Sequence, residues 1–178
     1  MELGAQGAFF HLFNHMLMKG LAFLSVGALI YGLFLQNDSH ASLKITDLAG
    51  TAQKYPMVAL ALSIAVLGLG GLPPLAGFMS KWQIFVAGFQ TQNTWIITLM
   101  VFMALNSVLS LAYYAPLVNM MYRKSPSAQV LAGKRLSLAI ALPLVIMMLA
   151  VIILGFAPQL LDWVTVPAAQ TLITMFGK

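Results

Sequence analysis

Long apolar runs separated by short polar connections dominate the sequence. One run extends from Gly7 to Gln36, another from Thr94 to about Tyr122, and a later one from Leu136 to Phe156. About 20 apolar residues are enough for a helix to cross a bilayer, so each of these runs predicts a transmembrane helix. The polar stretches 37–54 and 123–135 predict connecting loops.

A further apolar run, from Lys54 to Gln92, is interrupted near its middle by glycine and proline. Proline lacks a backbone N–H and glycine favours non-helical backbone, so the helix is predicted to break there. In lipid, freed backbone groups persist only where protein or water satisfies them. The run therefore predicts a discontinuous helix beside a buried hydrophilic site. The residues of the break are Gly71, Pro73, Pro74 and Gly77.

The charges in the loops favour a single crossing for this interrupted run. Its length as continuous helix, about 55 Å, exceeds a bilayer core of about 30 Å, so a helical hairpin that crosses twice is the alternative. With one crossing, the basic loops share one side, as the positive-inside rule requires, and both termini lie outside. The opposite side then holds Glu2, Asp162 and Lys178. The cations that share a side are Lys44, Lys54, Arg123, Lys124, Lys134 and Arg135.

The composition supports a membrane protein, because 61% of the residues are hydrophobic and 7% are charged, against about 25% charged in a soluble domain. The prediction is a single all-α integral membrane domain over residues 1–178, a bundle of four to five transmembrane helices including one discontinuous helix. Residues 157–178, with Trp163 and two prolines, predict an interfacial tail. Cysteine is absent, which excludes thiolate metal sites. The net charge of +5 lies in loops and does not indicate nucleic-acid binding.

His11, His15 and Lys19 follow one another at intervals of four residues in the first run. This spacing places them on one face of a helix, where they form a polar stripe. Two imidazoles and an amine in line are suited to a proton relay, because histidine titrates near neutral pH. The alternative is that Lys19 reaches the membrane surface while the two histidines bond neighbouring helices. A metal site is disfavoured because no carboxylate or cysteine accompanies the pair.

Lys81 follows the break and has apolar sequence on both sides, so it is a candidate for a protonatable group in a hydrated cavity. The alternative is a lysine that extends toward lipid headgroups. On the third run, Asn106, Ser110 and Tyr113 share a helix face and either line water beside Lys81 or bond neighbouring helices. The remaining acidic and imidazole groups are predicted to be solvated loop residues. They are Asp38, His40, Asp47 and Asp162.

The segments HLFNHMLMKGLAFLSVG (11–27) and GGLPPLAGFMSKW (70–82) resemble the antiporter-like membrane subunits of respiratory complex I. Related subunits occur in membrane-bound hydrogenases and in multisubunit cation/proton antiporters. The later segment AYYAPLVNMMY (112–122) also resembles this family. Within this family, the segments LMKG (17–20) and LSVG (24–27) are more similar to the hydrogenase-like and N-type members.

The resemblance implies that His11, His15 and Lys19 belong to a central hydrophilic axis and that Lys81 lies in the exit half of a proton path. It extends to the second half of such subunits only, so either this is a fragment or a partner chain supplies the rest. The implied function is proton translocation in an NADH:quinone oxidoreductase-type or hydrogenase-type complex. A stand-alone cation/proton antiporter subunit and a structural membrane subunit are the alternatives.

By the same resemblance, the chain itself binds no redox cofactor. Quinone, flavin and iron–sulfur clusters are expected in partner subunits, and the enzymatic role of the chain is left open. The expected partners are other membrane and peripheral subunits and the lipid bilayer. The expected location is the cytoplasmic membrane of a prokaryote, with the basic loops on the cytoplasmic side.

Overall fold

A computed structural model describes residues 2–34 and 42–176, and all regular secondary structure in them is helical. This confirms the predicted all-α fold. Two short 3₁₀ turns, Ile45–Leu48 and Pro158–Leu161, accompany the α-helices. The α-helices are α1 (Glu2–Leu33), α2 (Thr51–Lys54), α3 (Pro56–Gly70), α4 (Ala76–Gln90), α5 (Thr94–Met121), α6 (Ala128–Ala132), α7 (Leu138–Phe156) and α8 (Asp162–Phe176).

Three of the described helices, α1, α5 and α7, are long and apolar enough to cross a membrane. They contain 32, 28 and 19 residues and correspond to the three uninterrupted apolar runs. The shorter α3 is also apolar. The hydropathy of the sequence therefore located the spanning helices correctly, although α1 begins earlier than the predicted run.

The interrupted run lies along α1 as two successive half-helices, both antiparallel to it. α3 packs against the C-terminal half of α1 and α4 against the N-terminal half. Because the chain keeps its direction through the break, α3 and α4 are successive halves of one interrupted helix and do not form a hairpin; the single crossing of the membrane stays a prediction. The residue pairs in contact are Gly32 with Tyr55 and Met18 with Gly68 for α3, and His11 with Ser80 and Gly4 with Ala87 for α4.

Helices α1, α3 and α7 enclose the apolar core. α7 runs antiparallel to α1, with Leu136 near Gly32 and Met147 near Gly20, and it reaches the break where Gly155 contacts Pro74. Fully buried side chains come from all three helices. They include Leu21 and Leu29 of α1, Leu62 of α3, and Leu144 and Val151 of α7.

α5 and α8 lie at the periphery of this core. α5 has one buried residue, Met121, and packs on α3 and α4 along a single face. α8 packs beside the first turns of α1, where Gln6 donates to Asp162 and Gln170 donates to Glu2. The interfacial position of residues 157–178 stays a prediction.

The six cations of the described loops lie together at one end of the bundle, which we call the basic end. Lys54 donates to the Leu131 carbonyl, and Gln53 donates to the carbonyls of Arg123 and Lys124. The charges are therefore distributed as the single crossing predicted. At the opposite end are Glu2 and Asp162, while Lys178 lies outside the described residues.

The prediction that all the loop acids are solvated is wrong for Asp47. This carboxylate is 9% exposed and accepts a hydrogen bond of 2.9 Å from the backbone N–H of Lys44. The Asp47 carboxylate is buried because it accepts from the N–H of Lys44, the residue that precedes the 3₁₀ turn Ile45–Leu48. Asp162 is half-buried against Gln6. Asp38 and His40 lie outside the described residues.

Candidate functional site

The backbone of the break leaves a carbonyl group available at the end of α3. Gly71 adopts a left-handed conformation with φ of 85°, which favours glycine. The N–H of Gly71 bonds the Gly68 carbonyl and that of Leu72 bonds the Leu67 carbonyl, the paired pattern of a glycine-terminated helix. The carbonyl of Leu69, the next residue after these two acceptors, takes no part in either bond.

The ammonium group of Lys81 lies beside the Leu69 carbonyl at the end of α3. Its side chain extends back from the second turn of α4, and Nζ donates to the Leu69 carbonyl and to Ser107 Oγ, both at 3.0 Å. The carboxyl end of a helix carries partial negative charge, so the end of α3 stabilises a cation here. No carboxylate in the described part of the chain pairs with Lys81, which is half-buried.

The two half-helices approach each other closely enough to enclose this arrangement. Gly77, in the first turn of α4, packs directly on the Gly68 carbonyl, where any side chain would collide with it. The helix thus breaks where glycine and proline predicted, with α3 ending at Gly70 and α4 beginning at Ala76. Pro73 and Pro74 are exposed on the connection between them.

His11 contacts α4 through Ser80, with Nδ1 and Oγ 2.8 Å apart. Ser80 Oγ also donates to the Gly77 carbonyl at 3.1 Å. When that bond forms, the hydroxyl proton is already used, and Nδ1 of His11 is the donor to Ser80. The Nε2 atom of neutral His11 is then left as the proton acceptor.

The rest of the stripe is more open than His11. The rings of His11 and His15 lie 5.8 Å apart between centroids, while His15 and Lys19 are exposed on α1. Between the two histidines, Asn14 is completely buried and donates to the Ala76 carbonyl at 3.3 Å. Its Oδ1 atom has no hydrogen-bond partner in the described structure.

His11 of the stripe contacts one side of α4, and Lys81 extends from another side of the same helix. Ser80 faces α1, whereas the next residue, Lys81, reaches the end of α3 and α5. The structure therefore brings His11 to Ser80 and Lys81 to Ser107, without a direct hydrogen bond between His11 and Lys81.

On α5, the face toward the break differs by one residue from the predicted face. Ser107 bonds Lys81, and Leu111 and Tyr114 contact Gly70. The predicted residues lie about 100° further around the helix. Ser110 donates to the Asn106 carbonyl at 2.8 Å and Tyr113 donates to Ser110 at 3.4 Å. Their role in lining water stays a prediction.

Sequence reasoning missed Ser80, and it counted Ser107 among the polar residues of the third run without placing it on the predicted face. Ser107, Leu111 and Tyr114 have the same spacing as the predicted set, so spacing alone did not separate the two faces. Among the described residues, no group of three or more His, Asp or Glu side chains is placed to hold a metal.

Residues 1–110 match the family model described as NADH:quinone oxidoreductase/Mrp antiporter, TM. The chain is 35% identical over 153 residues to NADH-quinone oxidoreductase subunit N of Bdellovibrio bacteriovorus, covering 86% of this chain and 29% of that protein. It is 30% identical over 175 residues to F(420)H(2) dehydrogenase subunit N of Methanosarcina mazei, covering 94% and 34%. The chain thus spans about a third of the length of these curated relatives.

Two solved structures share the fold. A chain of the Mrp complex from Dietzia sp. DQ12-45-1b superposes with a TM-score of 0.79 at 20% identity, covering 97% of this chain and 38% of that one. A chain of respiratory complex I from Thermus thermophilus superposes with a TM-score of 0.68 at 26% identity, covering 88% and 33%.

Proposed function

Since the chain belongs to the NADH:quinone oxidoreductase/Mrp antiporter membrane family, we propose that it moves protons across the membrane as part of a larger complex. The proposed path uses Lys19, His15 and His11 and continues to Lys81 across α4. Protonation changes at these groups would be driven by charge changes in a neighbouring subunit.

The observation that carries this proposal is the setting of Lys81. A lysine deep in a membrane helix costs about 2.5–3.5 kcal/mol on insertion scales, whereas a helix terminus typically contributes about 0.3–1 kcal/mol to a nearby cation. The Leu69 carbonyl and Ser107 hydroxyl are neutral groups, so they leave part of that cost uncompensated. A charge that approaches Lys81 therefore shifts the balance between its charged and neutral forms.

The histidine side of the path is arranged for proton exchange at one nitrogen. Ser80 holds Nδ1 of His11, so Nε2 is the atom that takes up or releases a proton. His15 stands beside it and Lys19 follows one turn later. Between His11 and Lys81 a proton has to pass through water or a rotating side chain, because no direct bond joins them.

The exposed end of the stripe supports partners beyond this chain. Lysine in a spanning helix faces protein or water and not hydrocarbon, yet Lys19 and His15 are exposed in the described chain. We therefore propose that a further membrane segment covers them, supplied by another subunit or by the remainder of a longer subunit. The curated relatives, of which this chain matches about a third, support that reading.

The proposed host is a redox-driven complex, because named relatives are subunits of NADH-quinone oxidoreductase and F(420)H(2) dehydrogenase. Quinone, flavin and iron–sulfur clusters would reside in partner subunits, and this chain would perform no redox step. The basic end of the bundle supports a cytoplasmic orientation of its loops in a prokaryotic cytoplasmic membrane.

A second candidate is a subunit of a stand-alone cation/proton antiporter. The family description includes the Mrp antiporter, and the fold of the Mrp chain is similar. The two candidates differ in energy source. Proton uptake into vesicles that requires an electron donor supports the redox-driven complex, whereas sodium-dependent proton exchange without a donor supports the antiporter.

The test is Lys81→Ala in the intact complex, reconstituted in proteoliposomes. We expect proton translocation to fall about a hundredfold, a typical contribution of a positioned proton-transfer group, while assembly is retained. Lys124→Ala is the matched control, because Lys124 is an exposed cation at the basic end. If translocation survives both Lys81→Ala and Lys19→Ala in normally assembled complex, the chain has a structural role and the proposal fails.

A further inference from the structure

We infer that the basic end of the bundle binds the anionic headgroup of a phospholipid in a cleft between the first turns of α3 and α7. The cleft has a volume of about 460 Å³. Among the described residues, two cations and no acid line it. The lining residues that matter here are Lys54, Tyr55, Met57, Arg135, Leu136 and Ala141.

The backbone around the cleft positions the lysine and the segment that carries the arginine. Lys54 Nζ donates to the Leu131 carbonyl at 2.6 Å, which uses one of its three protons. Tyr55 donates to the Lys134 carbonyl at 2.8 Å and so joins the residue before Arg135 to the start of α3. Both basic residues therefore line the same cleft.

Two helix N-termini add to the positive potential of this cleft. α3 begins at Pro56 and α7 begins at Leu138, and both starts border the same space. The amino end of a helix carries partial positive charge and leaves backbone N–H groups unpaired, which attracts anions. The two basic residues and the two helix N-termini thus all favour an anionic ligand.

An apolar groove continues from the cleft along α7. It has a volume of about 430 Å³ and is lined by Leu138, Leu142 and Val145, together with two alanines. Ala141 borders both the cleft and the groove. Leu138 and Leu142 are 87% and 62% exposed on this spanning helix. A cleft lined by two basic residues and joined to an apolar groove fits a headgroup with its acyl chain, whereas a soluble phosphate would use the cleft alone.

The inferred lipid site is separate from the proton path. It lies at the basic end, beside Tyr55 and Leu136, while Lys81 contacts the carboxyl end of α3. Loss of lipid binding and loss of proton translocation are therefore distinguishable by experiment.

The test uses photoactivatable phosphatidylglycerol and phosphatidylcholine in membranes that contain the intact complex, with labelled peptides identified by mass spectrometry. We expect phosphatidylglycerol to label α7 around Leu142 in preference to phosphatidylcholine. The double variant Lys54→Gln, Arg135→Gln removes two charges that each contribute about fivefold near an anionic lipid. The preference should then fall by up to about thirtyfold.

Two further variants keep the test decisive. The double variant Arg123→Gln, Lys124→Gln removes the same charge at the same end, outside the cleft, and should retain the preference. Leu142→Trp fills the groove without changing charge and should reduce labelling by phosphatidylglycerol in folded complex. Equal labelling by the two lipids, an equal loss in the control double variant, or unchanged labelling of Leu142→Trp would overturn the inference. Displacement of the label by inorganic phosphate would assign the cleft to a soluble anion and would also overturn it.

Discussion

Lys19 and Lys81 are both lysines in apolar helical sequence, but the backbone around them differs. α1 is continuous at Lys19, so the carbonyls of its own helix are already used in helical bonds. The break after α3 frees the Leu69 carbonyl, which accepts a hydrogen bond from Lys81. The interruption of a helix therefore creates a carbonyl acceptor for a half-buried cation, whereas a lysine on a continuous helix needs a partner from another segment.

The largest expected loss of stability comes from a substitution that forces the half-helices α3 and α4 apart. Gly77→Val places a branched side chain against the Gly68 carbonyl. Overpacking of this kind destabilises by about 3 kcal/mol at the upper end of the usual range, so we expect a marked loss of folded protein. Thermal unfolding in detergent measures it. Gly27→Ala is the control, because a Cβ at Gly27 meets nothing within 4 Å. An unchanged melting temperature for Gly77→Val would contradict the close approach.

The next largest effect tests proton release at Lys81. Lys81→Arg keeps the positive charge and the donors to Leu69 and Ser107, but guanidinium does not give up its proton. We expect assembly to be retained and proton translocation to fall about a hundredfold. Translocation measured with a pH-sensitive dye in proteoliposomes checks this. Full activity of Lys81→Arg would exclude proton exchange at this position.

A paired substitution compares the two lysines directly. Lys81→Leu leaves the Leu69 carbonyl without its side-chain donor, and an unsatisfied buried acceptor costs about 1–3 kcal/mol. Lys19→Leu removes no hydrogen bond of the described chain, so we expect it to be neutral or stabilising in the chain purified alone. Comparison of the two melting temperatures tests the contrast. Equal losses would show that the break does not distinguish the two positions.

The smallest expected change in stability distinguishes Ser107 from Ser110, the two serines of α5. Ser107→Ala removes the hydroxyl that Lys81 contacts, and a hydrogen bond to a charged group contributes about 1.5 kcal/mol. Ser110→Ala removes two exposed hydrogen bonds within its own helix and should change stability by less than about 0.5 kcal/mol. Thermal unfolding of both variants gives the comparison. A larger loss for Ser110→Ala would indicate that the predicted face, and not the observed one, contacts the site.

The fold was largely predictable because its signals are local in sequence. Apolar length located α1, α5 and α7, and the glycines and prolines around Gly71 located the break. The single crossing followed from loop charges that the structure gathers at one end. The solvated position predicted for Asp47 was wrong, because its carboxylate is used by the Lys44 backbone.

The candidate site was predictable in its protonatable groups but not in their surroundings. His11 and Lys81 were identified as unusual residues for apolar helices, and the structure brings His11 to α4 and Lys81 to the end of α3. The hydroxyls of Ser80 and Ser107, which contact them, carry no comparable signal. Serine is tolerated on either face of a membrane helix, so its partner depends on how the helices are rotated against each other.

By itself, the sequence determined the spanning helices, the interruption between α3 and α4, and the alignment of His11, His15 and Lys19 on one face of α1. These features depend on hydropathy, backbone chemistry and helical spacing, which act within a segment. Only the tertiary structure decided that Lys81 reaches Leu69 and Ser107, that His11 is held by Ser80, and that Lys19 is exposed. The reason is that polar side chains occupy two neighbouring faces of α5 at the same spacing, so its sequence does not determine which face meets the break. The contacts of α1 likewise depend on how the helices are rotated against each other.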